Sequence, residues 1–312
     1  MVHASTHPRN QLSTGAIQPP RALGVIIGGV ISAWAFGMAV GVAVAAAGGQ
    51  VEFKTFLAWV VCGILLVVGM LFAYWSWALF TLSYTIGREH LTIRWGLRRI
   101  EIPIGNIQRM IPGRTVYDAS VQGLNWWGCH VGHADVTRVG YTLFYSTHSS
   151  PDELLYVVTN GEAFGLTVLD QAAFAEEVQA NAALGPTVGE LQRSASTGLA
   201  AFPIWRDNTG KTLAFLSLLA ALGVCGYVYG QYPGLPAVVE LKYPALGGIV
   251  RVGEKSELLR IAYASAAIAA VNTTIGTVIH SRLRSAGLWV FASGGMVQLV
   301  LLAAAIVAFS AA

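Results

Sequence analysis

Residues 55–87 read TFLAWVVCGILLVVGMLFAYWSWALFTLSYTIG, without one Asp, Glu, Lys or Arg, and that stretch decides the class of the molecule. A helix crosses a hydrocarbon core of about 30 Å with about 20 mostly apolar residues, and this run exceeds that length. Working outward, residues 23–49, 212–239, 261–281 and 285–312 are equally free of charge. Composition agrees: charged residues make up 11% and hydrophobic ones 54%, whereas a soluble domain carries roughly a quarter charged. The sequence predicts an α-helical multi-pass membrane protein with five spans.

The first run is longer than the apolar core of a secretory signal, about 7–15 residues, and Gly48-Gly49-Gln50 makes no clear cleavage site. It is expected to be retained as a span. Only residues 50–54 separate it from the second run, so residues 23–83 read as a two-helix membrane hairpin. Residues 1–22, with Pro8, Pro19 and Pro20 and little to bury, read as a mobile tail. Between the second and third runs the texture changes. Residues 84–184 alternate apolar and polar side chains over strand-length segments and carry enough charge to fold in water. A linker rich in Gly, Pro and Ser, residues 185–211, leads to a three-helix membrane domain, 212–312, interrupted by a polar segment near residues 233–257.

Orientation follows from the short loops. Arg9, Arg21, Arg88, Arg94, Arg98, Arg99, Arg206, Lys211, Arg282 and Arg284 all fall on one side. The other side has Lys54, Lys242, Arg251, Lys255 and Arg260, diluted by Glu52, Glu240, Glu254 and Glu257. The N terminus and residues 84–184 are therefore expected in the cytoplasm, and the 233–257 segment and the C terminus outside it.

Inside the aqueous region, residues 83–88, 90–95 and 98–103 form a meander of hairpins, continued by 104–110. Residues 141–146, 154–159 and 163–168 form a second set, with Asn160-Gly161 closing a tight turn. Phe174, Val178 and Leu184 then recur among Ala, Gln and Glu behind Asp170, a helix with its N-cap. Antiparallel strands followed by one amphipathic helix describe a small barrel or sandwich plugged by that helix.

Tyr84-Thr85-Ile86, the strand and turn from Leu91 to Arg99, Ile102-Pro103-Ile104-Gly105-Asn106-Ile107, Gly128 and Gly132, Leu143 to Thr147, the Asn160-Gly161 hairpin and the helix from Asp170 to Val178 carry a resemblance. Over about a third of its length the chain resembles the bacterial pleckstrin-homology-like (PH-like) domains of membrane proteins. The resemblance implies a fold, not a reaction, and a place in the bacterial cytoplasmic (inner) membrane. A second resemblance begins at Leu235-Pro236 and runs through Tyr243 to Gly247-Gly248 and Arg251-Val252-Gly253-Glu254-Lys255. It is similar to an uncharacterised family of bacterial multi-pass proteins reading Leu-Pro-x-x-Ile-Pro-x-His-Phe, then Gly, a basic residue and Gly-x-Lys. Here Glu240 replaces the second Pro and Lys242 the His, so no ligand role of that His carries over.

Residues 126–135, WWGCHVGHAD, invite a metal reading through Cys129, His130 and His133 with Asp135. In a strand, however, Cys129 and His133 share a face while His130 points to the other. No metal and no cofactor is expected. The plain reading is a Gly-rich turn and strand, with Trp126 and Trp127 either in the domain core or at the bilayer interface. Haem attachment, phosphate-loop, dinucleotide and nucleophile-elbow patterns are missing. Cys62, Cys129 and Cys225 read as free thiols.

Small residues recur at every fourth position of the first span: Gly29, Ala33, Gly37, Gly41 and Ala45, with Gly24 and Gly28 as a further pair. Such a stripe lets a helix approach closely, either the second span or a partner subunit. Asn272 and Gln298 are amides that fasten helices together within the bilayer. The spans carry no ionisable group at mid-depth, which speaks against conduction or pumping.

These readings converge on a non-catalytic membrane protein that uses its PH-like domain for protein or lipid-surface binding, as an accessory or assembly subunit of a larger membrane complex. Membrane lipids and other membrane-protein subunits are the expected partners; nucleic acid is not, given a dispersed net charge of +3. Arg94, Arg98, Arg99 and Arg109 are the lipid-surface candidates, each gaining about 1 kcal/mol against an anionic leaflet. Tethering alone would also place them there, and the sequence favours that simpler account. The competing class is a membrane enzyme or transporter using Glu240, Lys242, Arg251, Glu254 and Lys255, a cluster that solvation of surface charge explains more simply.

Overall fold

The computed structural model describes residues 15–116, 120–184, 193–196, 198–243 and 249–311. It divides into two compact units, one of Met1–Ala33 with Gly69–Gly198 and one of Trp34–Val68 with Leu199–Ala312. Among the described residues five helices are long and apolar enough to cross a membrane: α1 (Ala22–Ala47), α2 (Phe53–Phe80), α4 (Asn208–Gln231), α5 (Leu259–His280) and α6 (Arg284–Ala311). The remaining α-helix, α3 (Gln171–Ala183), belongs to the β-rich domain.

In the first unit, β1 (Ser83–Ile86), β2 (His90–Trp95), β3 (Arg98–Pro103) and β10 (Arg193–Ser196) form a four-stranded sheet in the order β1-β2-β3-β10. A six-stranded sheet holds β4 (Ile107–Pro112), β5 (Gln122–Trp126), β6 (Cys129–Val136), β7 (Gly140–Ser146), β8 (Leu154–Thr159) and β9 (Ala163–Thr167), in the order β4-β8-β9-β7-β6-β5. Successive strand residues point to opposite faces, and both faces of this sheet are covered. Cys129, Val131, Tyr145, Leu155, Val157, Phe164 and Leu166 enter the main core with Tyr84, Leu91, Ile93, Ile100 and Ile102. Ala134, Val136, Phe144, Leu154 and Tyr156 form a second cluster. Helix α3 closes the main core with Phe174 and Val178, and Asp170 Oδ1 accepts the Ala173 N–H at 2.9 Å as its N-cap.

Three differences from the sequence reading have physical causes. The strands are not all antiparallel, because β7 pairs with β9 in parallel, Thr142 opposite Ala163. The tight β8–β9 hairpin brings β9 back between β8 and β7, so the crossover runs through β8. The linker yields β10, antiparallel to β3 with Arg193 opposite Glu101 and Ser196 opposite Arg98; residues 185–192 and 197 of that linker lie outside the described residues. The first part of the tail, residues 1–14, also lies outside them, but Ile17 is bonded to Tyr84 in both directions, at 2.7 and 2.8 Å, as an isolated bridge on the free side of β1.

In the second unit α4, α5 and α6 pack together, and a two-stranded hairpin, β11 (Val238–Tyr243) and β12 (Ile249–Glu254), stands between α4 and α5. Phe291 of α6 lies where a side chain at Gly276 of α5 would be, 2.5 Å from the Cβ position. Gln298, fully buried, donates from Nε2 to the Ser265 carbonyl at 3.1 Å and accepts the Ser265 hydroxyl at 2.6 Å. The uncompensated alternative would be an amide in hydrocarbon, which costs far more than the pair gains.

Candidate membrane-facing site

At 1.5 Å per residue, a helix the length of α2, 28 residues, runs about 42 Å, some 12 Å more than a hydrocarbon core of about 30 Å. Aromatic residues crowd its C-terminal part: Phe72, Tyr74, Trp75, Trp77 and Phe80. Two hairpin tips of the β-rich domain dock there. Gly96, in the β2–β3 turn with φ +55°, leaves only 2.8 Å between a would-be Cβ and Ala78 Cβ, and its N–H donates to Thr81 Oγ1 at 2.9 Å. Trp95 meets Tyr74 edge-on at 6.3 Å between ring centroids. At the β5–β6 turn, Trp126 lies 5.6 Å from Phe72 and 6.1 Å from Trp75, and its Nε1 donates to the Gly24 carbonyl at 3.2 Å. Gly128, φ +78°, sits against Gly24, whose backbone N is 2.6 Å from the Cβ position.

The β2–β3 tip carries the arginines. Register sets Arg94 directly opposite Arg99, and pairs Trp95 with Arg98. Like charges directly opposite one another weaken a strand pair. Arg99 is partly compensated by Glu101, 2.9 Å from its Nη2. Arg193 of β10, opposite Glu101, shares that face with Arg94 and Arg99. Arg98 points the other way and donates from Nη1 to Tyr145 Oη at 2.9 Å. Burial raises the Tyr145 phenol, and Arg98 acts against that shift. Arg109 is on β4 in the other sheet, donating to the Arg138 carbonyl at 3.2 Å. The structure thus gathers Arg94 and Arg99, adds Arg193, and leaves Arg109 elsewhere. Arg193 was hidden because Arg-Ser-Ala-Ser has no strand pattern; it pairs through its backbone at a sheet edge.

The remaining candidates separate. Cys129 is fully buried in the core, and burial pushes its thiol up to about 12. His130 stacks on His148 at 4.1 Å, and burial followed by that neighbour brings His148 down to about 4. Ser146 Oγ lies 3.0 Å from His148 Nδ1, and Ser146 is fully buried. His133 is exposed beside Tyr141, 5.7 Å between rings. Among the described residues no three potential ligands converge on one point.

On α1, the expected stripe faces outward: Gly29, Ala33, Gly37, Gly41 and Ala45 are exposed, and nothing lies within 4 Å of a Cβ at Gly29, Gly37 or Gly41. These five positions therefore do not pack on the second span. Each step of four residues overshoots a helical turn by about 40°, so five positions at strict fourth spacing spiral around the helix. The buried face instead steps through Gly24, Gly28, Ser32, Ala35 and Ala39 by threes and fours, and on by seven to Ala46. Ser32 Oγ donates to the Gly69 carbonyl at 2.9 Å, and Cys62 Sγ to the Ala39 carbonyl at 3.5 Å. Asn272 is half-buried against Gly294.

The second unit contains a polar constellation that sequence reading missed. Asp207 caps α4, Oδ1 accepting the Thr209 and Gly210 N–H groups at 3.1 and 3.3 Å. The same carboxylate receives Arg284 Nε at 2.6 Å and His280 Nε2 at 2.9 Å. Because a carboxylate only accepts, the His280 proton is assigned to Nε2. Arg284, then His280, hold the Asp207 carboxyl well below the usual range. An Asp-Asn pair opening an apolar run was the available signal. An apolar cavity of about 900 Å³ in this unit, among Phe56, Trp59, Phe215, Leu222, Tyr263 and Ala266, has no Asp, Glu, Lys, Arg or His in its wall.

A family described as Bacterial PH domain matches residues 82–182, from just after α2 into the last turn of α3. No curated protein and no solved structure matches the chain.

Proposed function

We propose that the chain is a multi-pass protein of the bacterial cytoplasmic membrane whose PH-like domain binds anionic lipid headgroups through Arg94, Arg99 and Arg193. The observation that carries this reading is the cross-strand Arg94 and Arg99 pair, on a hairpin whose turn packs on α2 at Ala78 and Thr81. Two guanidinium groups set face to face are unfavourable until an anion lies between them, and a headgroup phosphate fits their fork geometry. A soluble ligand would have to compete with a surface already at hand. The domain and the N terminus are assigned to the cytoplasm and the C terminus to the outside, on the Lys and Arg asymmetry of the loops.

The test is reconstitution of the full chain in nanodiscs of phosphatidylcholine with and without phosphatidylglycerol. Anionic lipid should raise its thermal stability, and Arg94→Gln with Arg99→Gln should remove most of that gain, about 1 kcal/mol for each arginine. An equal gain in wild type and the double variant would sink the arginine assignment. Labelling of a Ser150→Cys variant by an impermeant thiol reagent in intact cells would reverse the topology. A role as an accessory subunit is the second reading, supported by the outward Gly37 and Gly41 face of α1. Mild-detergent purification of wild type and Gly37→Leu tests it: a co-purifying subunit should be lost with the substitution.

A further inference from the structure

We infer that Trp127 is a membrane-interface anchor, fixing the β5–β6 hairpin in the headgroup layer beside the entry of α1. Trp126 faces Cys129 across the hairpin, so Trp127 and Gly128 are the two residues of its turn. The turn is held on α1 from both sides of Trp127. Before it, Trp126 donates its indole N–H to the Gly24 carbonyl; after it, Gly128 packs backbone to backbone on the same glycine. Trp126 also stacks on Phe72 and Trp75, so the turn contacts both helices of the hairpin. Trp127 itself is 80% exposed, next in space to a first turn of α1 whose Leu23 and Ile26 are 52% and 62% exposed.

Depth follows from helix length. At 26 residues, α1 is about 39 Å long, roughly 9 Å beyond a hydrocarbon core of about 30 Å. Shared between its ends, the excess puts Gly24, the third residue of the helix, within about one turn of the hydrocarbon boundary. Trp127 is tied to that level. Indole suits this layer, where its ring meets acyl chains and its N–H meets carbonyls and water. The occupant of this exposed aromatic surface is therefore lipid, because the surface continues directly from the lipid-facing first turn of a span. The inference depends on the spans and on the docked turn, not on the arginines or on which side of the membrane the domain lies.

The experiment compares tryptophan emission of the full chain with that of Trp127→Phe, both reconstituted in vesicles. The difference between them is the Trp127 component. It should emit at a shorter wavelength than water-exposed tryptophan and lose about half or more of its intensity to lipids brominated near the headgroup end of their chains, as for other interfacial tryptophans. Aqueous acrylamide should quench it weakly. Quenching by acrylamide without bromolipid quenching would put Trp127 in water; quenching by neither would put it under protein. Either result overturns the inference. A Trp127→Tyr variant, read the same way, supplies the difference spectrum if the Phe variant folds poorly.

Discussion

Gly24→Ala tests whether the β-rich domain is locked to α1 by a backbone contact. The added methyl would lie 2.5 Å from Leu79 Cδ2 and 2.7 Å from the Gly128 carbonyl carbon, with the carbonyl oxygen closer still. Leu79 can rotate away, but Gly128 is main chain in a two-residue turn with φ +78° and has little room to yield. Overpacking of this kind costs about 1–3 kcal/mol. If the turn retreats, the Trp126 to Gly24 hydrogen bond goes with it, adding about 1 kcal/mol. Gly37→Ala is the matched control, since nothing lies within 4 Å of its Cβ position. Both changes raise helix propensity by up to about 1 kcal/mol, so their difference isolates packing. Equilibrium unfolding in mixed micelles, followed by tryptophan emission as the SDS fraction rises, should place Gly24→Ala about 2–4 kcal/mol below Gly37→Ala. A gap under about 0.5 kcal/mol, the usual scatter for an unconstrained surface change, would refute the docking argument.

Asp207→Asn should lower thermal stability, because it weakens the ties to His280 and Arg284 while keeping a capping oxygen. A depressed carboxyl contributes fully above its unfolded value and loses that contribution only as pH falls through the folded one, so the gap from wild type should hold from pH 8 to about 4.5 and close at more acid pH; narrowing already between pH 7 and pH 5 would contradict the assignment. Gln298→Leu should cost about 1 kcal/mol for its two bonds to Ser265, and Gln298→Ala about 2 kcal/mol or more because it also leaves a void; equal losses in an SDS titration would show that shape does not matter at that point. Cys129, buried and with its thiol pushed up to about 12, should resist a maleimide at pH 7.5 in the folded protein and react once denatured, as mass spectrometry would record.

Spans were legible because the absence of charge over such lengths has few alternatives in a folded chain. Strands β2, β3 and β8 occupy the residues expected from alternation and turns; β2 buries every second residue, whereas β8, buried along its whole length, is marked by its apolar run and the turns on either side. Short edge pairings were not legible: β10 exposes Arg193, Ser194 and Ala195, so no hydrophobic period marks it. The small-residue stripe at Gly29, Gly37 and Gly41 does not meet the second span, because the face that does runs through Gly24, Gly28, Ser32 and Ala35, and small residues alone do not tell which face is turned inward. Of the arginines, Arg94 and Arg99 could be paired from a two-residue turn at Gly96-Leu97, whereas the distance of Arg109 from them needed the sheet order. The Asp207 cluster joins residues more than seventy positions apart, which pattern reading along the chain does not see.

The four-stranded sheet has a consequence for where the domain can be cut from the chain. The chain enters the domain on one outer strand, β1, and leaves it on the other, β10, while Ile17, from ahead of the first span, borders β1. The family match stops at residue 182, before β10 begins. A segment cut at the limits of that match would keep β1 but lose Ile17 on one side of the sheet and β10 on the other. Both borders of this sheet are thus supplied by sequence outside the matched domain, one from ahead of the first span and one from the approach to the third.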